Sequence, residues 1–314
     1  MNATYPARDK VVDLDGLVAH IKDGDWLAIG GGLSSREPMA AIRALVRAGR
    51  KDLKVVGSAH GIDIDLLCGG GCVSKSAESY VGFEQDFGMA PNFRRACESG
   101  AVEVADSCCY TVVQQLRAAA YGLPFMPVRS VRGTSFEGLH PEYVSMPCPY
   151  TGEPLLLVPA LQPDVALIHA QYGDAHGNLR IEGPPVADLL ASRAAKMVVA
   201  TVERIVSNAE LRALGGVSIP YFYVAAIAEV PFGAHPTACY PMYAYDRRHT
   251  AQYYAAASSG TQEFVTRYLE PYVLDCADHQ DYLNRIGGSA TQSRLASWSE
   301  SDEAWMRLYS EDPA

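Results

Sequence analysis

A glycine-rich segment near the start of the chain carries the residues with the clearest chemical potential. Gly30, Gly31 and Gly32 follow the apolar run Trp26–Ile29 and precede a segment of helical pattern that begins near Pro38. Glycines let the backbone approach a ligand closely because no Cβ stands in the way. The free N–H groups of the first helical turn would then face whatever lies above the strand end. The segment predicts a binding loop, with a tight turn that holds no ligand as the alternative.

This loop differs from the common phosphate-binding sequences. Ser35 stands where the pattern G-x-G-x-x-G requires its third glycine. No Lys-Ser or Lys-Thr pair follows at the spacing of a P-loop. Neither nucleotide-binding pattern is therefore predicted.

Two further polar segments follow predicted strands, at the strand ends where open α/β folds bind ligands. Ser58 and His60 come after the first of these strands and are candidates for substrate contact; the alternative is a helix cap at Ser58 and a solvated His60. The second segment runs from Gly82 to Gly88 and contains Phe83, Glu84 and Gln85. Glu84 could act as a base or nucleophile, or could be an ordinary surface carboxylate.

The segment from His169 to Asn178 is dense in polar side chains. His169 and His176 with Asp174 between them imitate a metal site, but the ligands would lie on an irregular loop. We favour a rigid turn built on an Asx side chain, with Gly177-Asn178 closing a hairpin. No metal is predicted in this chain.

The eight cysteines are interpreted as reduced thiols, since nothing in the sequence suggests secretion. Cys68 and Cys72 have no second pair at the spacing of a zinc site. The adjacent Cys108 and Cys109 are interpreted as small, buried, apolar residues at the start of a helix.

Composition and sequence pattern exclude several functional classes. The net charge of −10 and the pI near 5.3 argue against nucleic acid or an anionic membrane surface as the main partner. No signal peptide and no apolar run of membrane-spanning length are recognisable, so a cytoplasmic location is expected. The serine-hydrolase pattern G-x-S-x-G does not occur.

Elements that could position these loops alternate regularly along the first half of the chain. Helices are predicted over residues 12–21, 39–48, 62–68, 91–98 and 111–121, and strands over 26–29, 54–57, 79–82 and 102–105. Further apolar runs at 165–168, 197–200 and 224–227 are typical of strands buried on both faces. The pattern predicts an α/β fold with an open, mostly parallel sheet flanked by helices.

The remaining segments are less regular. The proline-rich middle, residues 124–163, predicts antiparallel strands or a long loop near the active face, and residues 245–286 a helical region. We expect one domain over residues 1–286 and a C-terminal tail or arm over 287–314. The 18 tyrosines and the proline-rich middle could shape a pocket for a bulky or aromatic acyl group, or simply belong to core and interface.

A series of short motifs, each weak alone, gives a specific resemblance in its order and spacing. The chain resembles the α subunit of family I CoA-transferases, nearest the glutaconate CoA-transferase type, over about Leu14 to Asp246. The motifs are Gly30-Gly31-Gly32 with Ser34 and Pro38, Tyr80-Val81-Gly82-Phe83, residues 91–96, residues 117–125, His169-Ala170-Gln171 with Asp174 and Gly177-Asn178, and residues 231–237.

The resemblance implies an open α/β sheet of the NagB/RpiA/CoA-transferase-like fold and pairing with a β subunit in a heterodimer or heterotetramer. It implies transfer of CoA from an acyl-CoA to a carboxylic acid through a glutamyl-CoA intermediate. The nucleophilic glutamate belongs to the partner's Ser-Glu-Asn-Gly-like motif, which we do not find here, so no catalytic residue is expected in this chain. Coenzyme A is then a substrate, and no tightly bound cofactor is expected.

Individual residues receive roles through this resemblance. Gly30, Gly31 and Gly32 would supply N–H donors to the developing oxyanion. Arg36 would pair with an acid's carboxylate or a CoA phosphate, or be a solvated side chain. Ser34 would add a substrate contact.

Two other functions stay open. A steroid-degrading branch of the same fold hydrolyses CoA thioesters and carries a working glutamate in its α chain, which aligns with Cys109. That departure weakens the hydrolase hypothesis, although Asp106 lies one turn away. The other alternative is a non-catalytic subunit that binds small molecules.

Overall fold

The computed structural model describes residues 9–310, and its centre is a seven-stranded parallel sheet. The strands of this sheet are β1 (Trp26–Ile29), β2 (Leu53–Gly57), β3 (Val73–Glu78), β4 (Glu103–Val104), β8 (Val165–Gly173), β9 (Leu179–Arg180), β10 (Met197–Ile205) and β11 (Val224–Glu229). The spatial order of the parallel strands is β11-β10-β8-β1-β2-β3-β4, and the short strand β9 pairs antiparallel with β8. A separate antiparallel sheet, in the order β5-β7-β6, is built from β5 (Phe125–Val128), β6 (Val144–Pro147) and β7 (Pro154–Pro159).

Helices cover both faces of the main sheet. Those of the first half are α1 (Leu14–Val18), α2 (Met39–Arg47), α3 (Ile62–Gly69), α4 (Glu84–Phe87), α5 (Pro91–Glu98), α6 (Cys109–Ala120) and α7 (Phe136–Leu139). Those of the second half are α8 (Asp188–Ala194), α9 (Asn208–Ala213), α10 (Arg247–Ser258), α11 (Thr261–Phe264), α12 (His279–Arg285), α13 (Gly288–Ala296) and α14 (Asp302–Ser310). A π-helical segment, Val265–Leu274, follows α11, and a 3₁₀ turn, Ser297–Ser299, follows α13.

The core lies on the two faces of the parallel sheet, as strands buried on both sides require. Leu27 and Val55 belong to one apolar cluster, which includes α2 and α3. Ala28 and Val56, the next residues along the same strands, belong to the other cluster, which includes parts of α6 and α8. Side chains alternate between the faces of a strand, so each strand joins both halves of the core.

The fold predicted from sequence is confirmed, with two local corrections. The third strand occupies Val73–Glu78 rather than 79–82, and α1 covers only Leu14–Val18 of the helix predicted over 12–21. The first correction matters for function because it places the end of β3 at Glu78. The proline-rich middle forms the small antiparallel sheet, one of the two arrangements expected for it.

Residues 288–310 fold back onto the rest of the chain. Leu295 on α13 is fully buried and Leu308 on α14 nearly so, in a cluster with Tyr243 and Ala244. These helices therefore cover the segment that follows β11. None of the helices within residues 9–310 has the length and apolarity that crossing a bilayer would require.

Candidate functional site

The loops after β1, β2 and β3 meet at Gly61. A Cβ on this glycine would lie 3.1 Å from the carbonyl oxygen of Leu33 and 3.1 Å from that of Gly82. A backbone bridge between His60 and Val81 joins the second and third loops. The carboxyl ends of adjacent parallel strands share one edge of a sheet, and at this edge open α/β folds bind ligands. The sequence-predicted loops are thus brought together here.

The glycine loop after β1 forms internal hydrogen bonds. The amides of residues 30–32 donate to the carbonyl of Leu167, the carboxylate of Asp188 and the carbonyl of Ser35 at 2.8, 3.1 and 2.9 Å. In this conformation all three amides have acceptors within the chain, and the role of Gly30, Gly31 and Gly32 as donors to an oxyanion stays a prediction. Their glycine character has a packing cause: a Cβ at Gly30 would lie 2.5 Å from the Asp188 carboxylate.

The amides at the start of α2 are engaged as well. In the first turn, Met39 N–H donates to the carbonyl of Glu37 and Ala40 N–H donates to the carbonyl of Gly233, both at 2.8 Å. The segment after β11 therefore lies against the helix start that the sequence suggested for a ligand. The prediction that the N–H groups of this turn are free is wrong for Met39 and Ala40.

Arg36 is a buried structural residue, with 2% of its surface exposed. Its guanidinium forms two contacts with the Asp188 carboxylate, at 2.9 and 3.2 Å, and donates to the carbonyls of His169 and Pro184. Such a bidentate ion pair fixes the orientation of both side chains. The alternative of a solvated Arg36 is wrong, and its role in binding a substrate carboxylate or a CoA phosphate stays a prediction.

His60 is buried rather than solvated, and Ser58 is not the cap of α3, whose N-cap residue is Gly61. The His60 ring places Nδ1 2.6 Å from the Asp63 carboxylate. Burial alone would lower the pKa of His60, but Asp63 and Glu78 raise it to about 9. The imidazole is therefore charged at neutral pH and paired with an anionic Asp63.

Glu37 is the third ionisable residue of this buried group and lies next to Asp63. Its carboxyl oxygens accept hydrogen bonds from the amides of Gly61 and Asp63, at 3.2 and 3.3 Å. Burial, followed by the neighbouring Asp63, raises the pKa of Glu37 well above its usual range. The raised pKa favours the protonated form of Glu37, which places no second negative charge beside the His60–Asp63 ion pair.

Glu78 is the site residue that the sequence analysis missed. It ends β3, has 6% of its surface exposed, and neither carboxyl oxygen has a hydrogen-bond partner within residues 9–310. A Cβ at Gly57 would lie 2.7 Å from both Glu78 Oε2 and His60 Nε2. The carboxyl and the imidazole therefore face the same small space, which exists because residue 57 is glycine.

The environment of Glu78 changes its acidity. Burial raises the pKa of the Glu78 carboxyl to about 7, while the charge on His60 opposes the rise. A carboxyl that titrates near neutrality at a strand end is the type of group that enzymes use to accept or donate a proton. Its strand-end position would have revealed it, had the strand been predicted over the correct residues.

Cys109 lies beside the same loops. Its thiol accepts a hydrogen bond from the Ser79 hydroxyl at 3.2 Å and lies 3.8 Å from the carbonyl oxygen of Ser58. Ser79 also donates to that carbonyl. Cys109 is exposed and Cys108 only partly buried, so the expected burial of both is wrong. The thiol faces solvent at the edge formed by β2 and β3.

Four predicted site residues line one cavity of about 210 Å³: Ser34, Gly82, Phe83 and Glu84. Glu84 is exposed and has a positive φ of 50°, a conformation that side-chain-bearing residues rarely adopt. The side chain of Gln85 lies outside the described part of the structure. Ser58 and His60 do not line this cavity and belong to the neighbouring loop.

The polar segment from His169 to Asn178 forms the predicted Asx turn and hairpin. Asp174 accepts from the amides of His176 and Asn178 at 3.0 and 2.9 Å, and β9 follows. His169 itself belongs to β8 and is buried, with Glu203 and Thr201 as hydrogen-bond partners at 2.9 and 2.8 Å.

Two buried groups of side chains within residues 9–310 have the geometry to hold a metal ion. They are His169 with Glu203 and Cys239, and Glu37 with His60 and Asp63. The Glu203 carboxylate also accepts from the amides of Phe232 and Gly233. In both groups the carboxylates already have donors from the chain, which explains their burial without a metal.

Comparisons with known proteins agree with this architecture. The family model described as "Coenzyme A transferase" matches residues 11–230. The α subunit of glutaconate CoA-transferase from Acidaminococcus fermentans is 33% identical over 299 residues, covering 89% of this chain and 92% of that protein. The crystal structure of that enzyme superposes with a TM-score of 0.85, at 31% identity over 91% of this chain and 95% of the matched chain.

Two other relatives are similar to this chain in sequence. The IpdA subunit of a cholesterol ring-cleaving hydrolase from Mycobacterium tuberculosis is 36% identical over 297 residues, covering 90% of this chain and 99% of that protein. An uncharacterized protein of Archaeoglobus fulgidus is 36% identical over 298 residues, which are 94% of this chain. The match spans 66% of the archaeal protein's length, just under two thirds.

Proposed function

Since the chain belongs to the coenzyme A transferase family, we propose that it is the α subunit of a heteromeric CoA-transferase. The observation that supports this most is the match to the α subunit of glutaconate CoA-transferase over nearly the whole of both chains, in sequence and in structure. The protein moves CoA between an acyl-CoA and a carboxylic acid together with a β subunit. Coenzyme A is its substrate, no tightly bound cofactor is required, and the cytoplasm is the expected location.

The proposed reaction has two half-steps that pass through the partner. A glutamate carboxylate on the β subunit first attacks the thioester carbon, and the CoA thiolate leaves a mixed anhydride behind. The thiolate then attacks the glutamyl carbonyl, which releases the donor acid and forms a glutamyl-CoA thioester. The acceptor acid reverses these steps with its own carboxylate. Two half-reactions joined by a covalent enzyme–CoA thioester predict ping-pong kinetics.

The carboxylates at the strand ends of this chain support a nucleophile from outside. Asp63 is paired with His60, and Asp188 with Arg36. Glu78 is free of such a partner, but its burial keeps it from a bulky thioester. Glu84 is exposed, and a thioester formed there would be open to water. None of these four carboxylates is both open to a CoA thioester and protected from water once the intermediate has formed.

The chain's own contribution is the shape and charge of the cleft. The loops joined at Gly61 form a rigid wall, because Arg36 and Asp188 fix the first loop to α8. The space between His60 and Glu78 holds a charged imidazole beside a carboxyl that titrates near neutrality. A positive group close to the reacting edge stabilises a developing negative charge in a water-poor site.

Reconstitution tests this proposal. The full chain, alone and with its β subunit, is mixed with a CoA thioester and an acceptor acid, and the new thioester is followed by chromatography. We expect turnover only in the complex, with parallel double-reciprocal plots. Full turnover by the isolated chain would overturn the assignment of the nucleophile to the partner.

A thioester hydrolase subunit is the second candidate, favoured by the 36% identity to the IpdA subunit over 99% of that protein. The resemblance to that branch places its working glutamate at position 109, where this chain has a cysteine that cannot supply the carboxylate. Oxygen-18 water separates the two functions, since hydrolysis places one labelled oxygen in the product acid and transfer places none. Calorimetry with CoA esters would identify a protein that binds without turnover.

A further inference from the structure

We propose that the cavity between the strand-end loops and helix α14 binds the acyl group of the CoA thioester. We further propose that it selects a compact, uncharged acyl group about the size of one six-membered ring over one that ends in a second carboxylate. This inference rests on the proposed function and names its substrate class.

The cavity has two unlike walls. The strand-end loops form the inner wall with Leu33, Ser34 and Gly82. The C-terminal region forms the outer wall, where Trp305 and Leu308 of α14 face the cavity. The remaining lining residues are Phe83, Glu84, Asp86, Tyr240, Ala244, Tyr245, Arg247 and Tyr309. Aromatic rings from both walls thus surround the space.

The volume fits a ring. The cavity measures about 210 Å³, and an apolar cavity of roughly 150 Å³ is known to hold benzene. A ring bound here would leave room for the atoms that join it to the thioester. The aromatic and aliphatic parts of the wall favour such a group because its burial removes apolar surface from water.

The charges at the cavity disfavour a second carboxylate. Glu84 and Asp86 both line it, and Arg247 is the cation among the lining residues. The Arg247 Nε lies 3.5 Å from the Asp86 carboxylate, and its guanidinium lies over the Phe87 ring at 5.4 Å. The Asp86 charge is thereby balanced within the chain, and the Glu84 charge would repel an anionic acyl terminus.

The position of the cavity connects it to the reacting edge. Ser34 belongs to the loop after β1, and Gly82 and Phe83 to the loop after β3. Both loops approach Gly61, which belongs to the loop after β2. An acyl group in the cavity would therefore place its thioester at the strand ends, where the partner's carboxylate is proposed to act.

Competition between two donors tests the selectivity. The complex of the full chain with its β subunit is given benzoyl-CoA and glutaryl-CoA, with acetate as acceptor. We expect kcat/KM for benzoyl-CoA to exceed that for glutaryl-CoA by at least about tenfold. Equal values, or a preference for glutaryl-CoA, would overturn the inference. Glu84→Gln should narrow the ratio between the two donors, and an unchanged ratio would count against the charge argument.

The location of the acyl group is tested on α14 with a matched control. Trp305→Ala should raise KM for benzoyl-CoA at least about fivefold, whereas Met306→Ala, on the same helix but outside the cavity lining, should leave it unchanged. Circular dichroism checks that both variants keep their helices. Equal effects of the two substitutions would overturn the placement.

A binding signal keeps this inference separable from the proposed function. Benzoyl-CoA should change the tryptophan fluorescence of the full chain, and Trp305→Phe should abolish that change. A Trp305-dependent change without turnover of any thioester would support the cavity and refute the transferase. Turnover of both donors without any dependence on Trp305 would support the transferase and refute the cavity.

Discussion

Arg36 and Asp188 form a two-pronged ion pair in the interior, with Nη2 and Oδ2 2.9 Å apart and both side chains at most 2% exposed. The pair joins the loop after β1 to the start of α8, and Asp188 also accepts from the Gly31 amide. It holds the first strand-end loop in place, so the shape of the proposed cleft depends on it.

Breaking this pair should strongly destabilise the protein. We expect Asp188→Ala to lower the free energy of unfolding by about 3–5 kcal/mol, because an uncompensated Arg36 would remain buried. Denaturant unfolding measures the loss. The exposed pair Arg94–Glu98 provides the control, since Arg94→Ala should cost far less stability than Asp188→Ala. Similar losses for the two variants would contradict the structural role of the buried pair.

Glu78→Gln should change how stability depends on pH. The folded-state pKa of Glu78 is raised from 4.5 to about 7, so the unfolded chain releases this proton first and stability falls as pH rises between these values. His60 acts in the same sense, because its stabilising charge is present below 6.5 and lost as pH rises through about 9.

The glutamine side chain of the Glu78→Gln variant does not titrate, so the variant lacks the pH dependence that Glu78 contributes. The gain in stability of Glu78→Gln over the wild type should therefore be larger at pH 8 than at pH 5, by up to about 3 kcal/mol. Unfolding measured at both pH values tests this, with the exposed Glu263→Gln as control. A pH-independent difference would show that Glu78 titrates normally.

The space above Gly57 should tolerate no side chain. Gly57→Ala would place a methyl group 2.7 Å from His60 Nε2 and Glu78 Oε2, and should cost about 1–3 kcal/mol in stability. Turnover by the complex should fall as well, because the imidazole and the carboxyl must move apart. Gly138→Ala, with no atom within 4 Å of its added Cβ, should change neither property. Full activity of Gly57→Ala would rule out a role for this space.

The helices beyond Gly287 should contribute to the stability of the whole fold. Leu295 is fully buried, so Leu295→Ala should lower the free energy of unfolding by about 2–5 kcal/mol. The half-exposed Leu274→Ala serves as control and should cost much less. A small effect at Leu295 would support instead the separate tail or arm expected from the sequence over 287–314.

The parallel sheet was predictable because buried strands such as residues 165–168 and 197–200 are continuous apolar runs. The strand Val73–Glu78 was missed because it contains Lys75 and two serines, and it lies near the edge, next to the two-residue strand β4. Because the strand was predicted over residues 79–82 instead, Glu78 was not recognised as a strand-end residue. The apolar pattern therefore finds central strands more reliably than those near the edge.

The candidate site was predictable in place but not in detail. The loops at 30–36, 58–60 and 82–84 were each predicted to follow a strand, and the structure brings them together because strand ends on one edge converge; their role in binding stays a prediction. Arg36 is buried as part of an ion pair with Asp188, which lies 152 residues away in the sequence. No local sequence pattern reveals such a pairing. The same holds for the Gly31 amide.

The central claim is that this chain shapes the cleft while the attacking carboxylate belongs to the β subunit. The most direct measurement is mass spectrometry of the two separated proteins after the complex has reacted with an acyl-CoA in the absence of an acceptor acid. We predict a covalent CoA adduct on a glutamate of the β subunit, with the α chain unmodified. An adduct on this chain, at Glu84, Glu78 or Cys109, would contradict the account.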